Sequence, residues 1–169
     1  MLGLVLLYVG CVLFINGLTM LGHINSKESV IMNVFTGLLA VIAAIYNMFT
    51  ETADIQSAAY GLLFAFTYLW IAYNTLTVQD GRGLGWFSLF VAITVTAITY
   101  DAFIAAHSFQ ALWLATNWAC WAVLWFGFFL IGALGKINLI RPIAYLAIIE
   151  GIFTAWIPGY LLLSGHMPA

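Results

Sequence analysis

Polar residues in this chain gather in short clusters that separate six long apolar runs, at approximately 2–20, 29–49, 58–76, 84–100, 111–134 and 140–163. A helix needs about 20 apolar residues to cross ~30 Å of hydrocarbon. Each run therefore predicts a spanning helix, and the chain predicts an all-α membrane protein, a six-transmembrane-helix bundle. The connections are about ten residues or fewer, short enough for neighbouring helices to pack as antiparallel hairpins. Residues 1–169 are then a single transmembrane domain, with Pro158 the only interruption inside a run. Ser26 through Ser29 reads as the N-terminal signal of the second helix.

Charge gives this bundle a direction. Lys27 lies in the first gap, Arg82 in the third, and Lys136 and Arg141 in the fifth. The second gap (Thr50 to Ser57) and the fourth (Asp101 to Gln110) hold only Glu51, Asp54, Asp101 and His107 as charged or titratable groups. Loops rich in Lys and Arg stay cytoplasmic, so both termini are expected on the outer face. The chain starts Met1-Leu2-Gly3-Leu4, with no basic segment before the apolar run. That start reads as a retained first helix, not a removed signal peptide.

Composition narrows the function classes. At 65% hydrophobic and 6% charged, the chain departs far from the roughly 25% charged residues of soluble domains, and six spans leave no platform for enzymatic work in water. Nucleic acid is excluded as a partner because no basic patch exists. Cys11 and Cys120 lie deep in runs one and five and read as small packing residues. His23, His107 and His166 sit in gaps or at the tail, so neither haem nor metal ligation is expected, and no cofactor is called for.

Three stripes of side chains stand out within the runs. Leu2, Leu6, Val9, Leu13 and Asn16 follow 4-3-4-3 spacing and share one face of the first helix. Trp118, Trp121 and Trp125 form a ladder on the fifth, spanning about 10 Å at 1.5 Å per residue. Phe64 and Tyr68 lie one turn apart on the third, with Thr67 beside them. Tryptophan in membrane helices prefers the interfaces, so a ladder this long favours an internal path over a single interfacial belt. Glu150 is the one acidic residue inside a run, and it reads either as a hydrogen-bonded strut or as an acceptor lining a pore. Asn33 and Asn47 read as packing or interfacial residues. Phe66-Thr67 recurs as Phe153-Thr154, a faint sign of internal repetition.

Four segments carry a family resemblance: Leu2-Gly3-Leu4-Val5-Leu6-Leu7-Tyr8-Val9-Gly10, Gly61 through Trp70, Asn117 through Trp125, and Leu146 through Pro158. Together they resemble the AmiS/UreI family of urea and short-chain amide channels. The resemblance implies six-helix protomers built from three helix hairpins around a central pore, assembled as a homohexamer in the bacterial inner membrane. It implies a pore lined by Leu2, Leu6, Val9, Leu13, Asn16, Phe64, Tyr68, Trp118, Trp121, Trp125 and Glu150, the same stripes that spacing picks out. It further implies passive passage of urea or a short-chain amide toward a cytoplasmic urease or amidase.

Acid-gated members of that family have a longer first outer loop, outer-loop histidines and an aromatic-valine ending. This chain has only about Thr50 to Ser57 in that loop, no histidine there, and the tail His166-Met167-Pro168-Ala169. It therefore resembles the amide-transporter branch. Two other classes stay open from the residues: a proton-coupled carrier using Glu150, and a membrane scaffold whose tryptophan ladder only packs.

The charge pattern makes a topological prediction. In a background lacking Cys11 and Cys120, single cysteines at Asp54 and His107 should react with an impermeant thiol reagent from outside, and one at Gly81 should not. Outside labelling at position 81 would reverse the orientation.

Overall fold

The computed structural model describes residues 1–168; Ala169, the last residue of the tail considered above, lies outside the described residues. Six helices are each long and apolar enough to cross a membrane: α1 (Leu2–Met20), α2 (Ser26–Phe49), α3 (Ile55–Thr77), α4 (Arg82–Ala105), α5 (Phe109–Gly132) and α6 (Ile137–Ser164). No strand occurs among the described residues. Several helices overrun the apolar runs, furthest in α4, which continues through Asp101 to Ala105. A polar residue ends the stretch that suits hydrocarbon but not the helix, whose backbone satisfies itself on either side of the boundary.

Local chemistry explains the helix starts. Asn25, just ahead of the expected Ser26–Ser29 signal, caps α2 by accepting from the Lys27 amide at 2.9 Å. Asp54 and Ser108 cap α3 and α5 by accepting from the amides of Ser57 and Ala111. Such caps are worth about 1 kcal/mol each.

The helices pack as three close pairs. α2 runs along α3, α4 along α5, and the third pair joins the two ends of the chain, α1 with α6. The backbones of α1, α3 and α5 make no close approach to one another. The space between them is filled by side chains, and the core sits there: Val9, Leu13, Phe64, Tyr68, Trp121, Leu124 and Trp125 are all buried. Large apolar groups such as Ile42, Phe90, Ile93 and Phe153 point outward instead, as hydrocarbon permits.

Glycine sets the closeness of α1 and α6. Gly3, Gly10 and Gly17 recur every seven residues on α1, and a Cβ on each would meet α6. At Gly10 it would lie 2.5 Å from the Trp156 amide nitrogen, and at Gly17, 2.7 Å from the Ala144 carbonyl oxygen. From α6, a Cβ at Gly159 would lie 2.5 Å from the Leu7 nitrogen and one at Gly151, 3.0 Å from the Gly10 oxygen. Lipid tails are as apolar as leucine, so helices associate in membranes through this kind of tight backbone packing.

α6 is irregular, beyond what Pro158 alone foretold. It opens with a 3₁₀ turn (Ile137–Leu139), is α-helical from Ile140 to Glu150, widens into a π-helical segment (Gly151–Trp156), and returns to α-helix from Ile157 to Ser164. The contact residues explain the widening. Ala144 and Gly151 are seven apart but Gly151 and Gly159 are eight, and the wider turn absorbs the extra residue so that all three still face α1. Pro158 has no N–H for the Thr154 carbonyl four residues back. Asn117 Nδ2 of α5 donates to that carbonyl at 2.8 Å, and Trp113 Nε1 donates to the Phe153 carbonyl at 3.3 Å.

Gly10→Ala should therefore destabilise the protein by about 1–3 kcal/mol through overpacking, read as a lowered unfolding midpoint in detergent. Gly61→Ala, whose new Cβ would have nothing within 4 Å, should cost nothing. Equal losses at the two positions would mean that the α1–α6 contact is not what Gly10 serves.

Candidate functional site

Between α1, α3 and α5 lie two cavities in series. The outer one has a volume of about 570 Å³ and opens at Met1, Asn47, Thr50, Thr52 and Asp54. Its walls are Leu2, Val5, Leu6 and Val9 of α1, Tyr60 and Phe64 of α3, and Trp118 and Trp121 of α5. Ala40, Ala43 and Ala44 of α2 also line it, and their small side chains are what leave it wide. The inner cavity, about 20 Å³, is lined by Leu13, Asn16, Thr67, Tyr68, Ile71, Leu124, Trp125 and Phe128. Phe64 and Trp121 line both.

Those two shared rings form the partition. They meet edge to face, with centroids 4.9 Å apart and planes at 86°. Trp125 closes on Phe64 from the inner side at 4.8 Å, and Trp118 meets Trp121 on the outer side at 5.0 Å, again edge to face. Such pairs are worth about 0.5–1.5 kcal/mol each beyond their buried area, so the cluster has a preferred geometry. Roughly 10–15 Å³ suffices for one water. The inner cavity holds little more than that, so there is room for anything larger than a water only if these side chains turn.

The electrostatics are simple. Among the described residues, Asp54, exposed at the mouth, has the only charged side chain lining either cavity, and the α-amino group of Met1 belongs to the same mouth. Hydrogen bonds from the Ser57 side chain, and then from its amide, hold the Asp54 carboxyl below the usual carboxylate range, so it stays ionised through mildly acidic pH. Beyond it the lining is apolar and aromatic, with amide and hydroxyl groups at intervals. A bare ion would lose its hydration there without replacement.

Ten of the eleven expected pore residues line one cavity or the other: Leu2, Leu6, Val9, Trp118 and Trp121 the outer, Leu13, Asn16, Tyr68, Trp125 and again Trp121 the inner, with Phe64 in both. Leu2 is half exposed at the mouth. Glu150 lines neither; it is buried on α6 with Oε2 lacking a hydrogen-bond partner among the described residues. Asn33, read as packing or interfacial, is fully buried, and it bonds reciprocally with Asn16: Asn16 Nδ2 donates to Asn33 Oδ1 at 3.0 Å and Asn33 Nδ2 to Asn16 Oδ1 at 2.7 Å. Asn16 is thus both a lining residue and half of an α1–α2 tie.

Sequence reasoning missed Tyr60, the alanines of α2, and Leu124 and Phe128 of α5. The alanines had a signal: Asn33, Thr36, Gly37, Ala40, Ala43 and Ala44 make a small, buried stripe at helical spacing. In a membrane helix such a stripe marks the inward face.

Residues 1–166 match the family described as AmiS/UreI family transporter. A Mycolicibacterium smegmatis protein named for transport of amidate substrates is 43% identical over 169 aligned positions, covering 97% of this chain and 77% of that relative. The acid-activated urea channel of Helicobacter pylori is 40% identical over 194 positions, covering 98% of this chain and 99% of the channel. The alignment with the channel is longer than this 169-residue chain, so the channel carries insertions that this chain lacks. The crystal structure of the urea channel from that gastric pathogen superposes with a TM-score of 0.87 at 40% identity, over 98% of this chain and 99% of the other.

The asparagine pair is testable through coupling. Asn33→Leu leaves the Asn16 amide buried without its partner and should cost about 1–3 kcal/mol. Adding Asn16→Leu should recover part of that loss, measured by denaturation of the single and double variants. Strictly additive losses would mean that the pair is not coupled.

Proposed function

The chain belongs to the AmiS/UreI family of transporters, and we propose that this protein is a passive channel for urea or short-chain amides in the bacterial inner membrane. Each protomer of a homohexamer would have its own path, with both termini outside, feeding a cytoplasmic urease or amidase. The observation that carries this reading is the pair of cavities in file between α1, α3 and α5, parted by Phe64 and Trp121, with charge among the described lining residues only at the mouth, on Asp54 and the Met1 α-amino group.

The chemistry of the solute fits that lining. Urea and small amides are flat and neutral, so they give up little on leaving water compared with an ion. If Phe64 turns aside, the partition opens as a slot between the rings that admits a planar molecule, whose N–H groups can point at π faces. Asn16 and Tyr68 offer polar contacts further in. Substrate would cross down its gradient with no energy coupling.

The alignments bear on the branch. The amidate-substrate relative aligns over 169 positions, close to this chain's own length, whereas the acid-activated channel needs 194. Together with the short α2–α3 connection, this supports an amide-type channel open at neutral pH. A second reading is favoured by one feature, the Oε2 of buried Glu150, which has no partner among the described residues: a proton-coupled carrier would use such a group.

Stopped-flow measurement on proteoliposomes tests the channel. The protein should speed urea or acetamide equilibration, Trp121→Ala and Trp125→Ala should change flux or selectivity, and Trp70→Ala, off the cavities, should change it less. Glu150→Gln should keep substantial downhill flux. Accumulation driven by a pH gradient, lost in Glu150→Gln, would favour the carrier. Flux should also differ little between about pH 7.5 and about pH 5.5, the range over which histidine gates titrate; a steep rise on acidification that disappears in His107→Ala or His166→Ala would contradict this.

A further inference from the structure

The repeated Phe-Thr pair of α3 and α6 has a shared geometry around the tryptophan ladder. Phe66 and Phe153 point outward, and Thr67 and Thr154 point inward and are buried. Thr154 Oγ1 accepts from Trp121 Nε1 at 2.8 Å, and Thr67 Oγ1 accepts from Trp125 Nε1 at 3.3 Å. Each hydroxyl gives its own proton to the carbonyl four residues back, Thr154 to Glu150 at 2.6 Å and Thr67 to Leu63 at 2.7 Å. One proton is all a hydroxyl has, so each threonine is fixed as an acceptor toward its indole. Trp121 and Trp125 lie one turn apart on α5, and the two threonines reach them from different helices.

We infer that Thr67 and Thr154 are positioning residues that set discrimination among small amides, by holding the indoles of Trp125 and Trp121 so that ring faces, and not N–H donors, border the slot. This rests on the channel reading above. A tethered indole cannot turn to enlarge the partition without giving up a buried hydrogen bond, and its N–H is withheld from a passing carbonyl. Thr154 sits in the π-helical segment of α6, so the irregular turn that fits α6 to α1 also presents the hydroxyl to Trp121. The tether to Thr67 is also the polar link between α3 and α5, whose backbones do not meet.

Valine matches threonine in shape but cannot accept. Thr154→Val and Thr67→Val should each reduce the urea-to-propionamide permeability ratio in proteoliposomes by roughly tenfold, the lower end of the scale on which pocket shape alters discrimination. Each should also remove one hydrogen-bonded indole from the ultraviolet resonance Raman N–H marker. Thr154→Ser and Thr67→Ser, which keep the acceptor, should restore both readouts. An assembled valine variant with the native ratio would overturn the inference, whether or not its spectrum changes. Loss of assembly in both valine variants, with both serine variants intact, would overturn it in favour of a folding role. If the native protein passes neither solute, the channel reading falls and the selectivity role with it, while the Raman marker still reports whether the tether exists.

Discussion

Helices in a bilayer gain nothing from hiding leucine against leucine, so a bundle with an open interior needs some pairs held very close and others held apart. The glycines of α1 and α6 supply the first condition. With Gly10 against Trp156 and Gly159 against Leu7, the two ends of the chain lock together, and the pairs α2–α3 and α4–α5 pack along their lengths. α1, α3 and α5 are then left facing one another without backbone contact. Only side chains can fill that gap, and the aromatic ones among them part it into two cavities.

One stretch of α6 links these two requirements. The extra residue between Gly151 and Gly159 keeps the small face on α1, and the π-helical turn followed by Pro158 leaves carbonyls that α5 satisfies. Asn117, Trp113 and Trp121 all reach it. A segment that costs backbone regularity thereby fixes the height and orientation of α5 against α6, and with it the partition between the cavities. π-helical turns recur at functional sites for this kind of reason: they aim a side chain that a regular helix would misplace.

Much of this was legible in the sequence, and the reason is periodicity. Apolar length marked six spans, and 3-4 spacing placed Leu6, Val9, Leu13, Phe64, Tyr68, Trp121 and Trp125 on inward faces, where they are. What spacing cannot show is which helix a face meets. The heptad of Gly3, Gly10 and Gly17 gives no hint that its partner is the last helix. The π-helical turn depends on a register between two distant segments. Glu150 stood out because it is acidic within a run, yet its side chain lies outside both cavities, since a face that is inward is not always a face that lines a path. The Phe-Thr repeat was visible as a pattern, but its meaning needed the indoles one helix away.

Whether solute travels inside each chain, between α1, α3 and α5, is tested most directly by filling the outer cavity. Ala43 lines it from α2, away from the aromatic partition and from the α1–α6 contact. Urea and acetamide flux through Ala43→Trp should fall to the level of protein-free liposomes while the purified protein keeps its native assembly size. Native flux in that assembled variant would place the path elsewhere, at an interface between chains or along another face of the bundle.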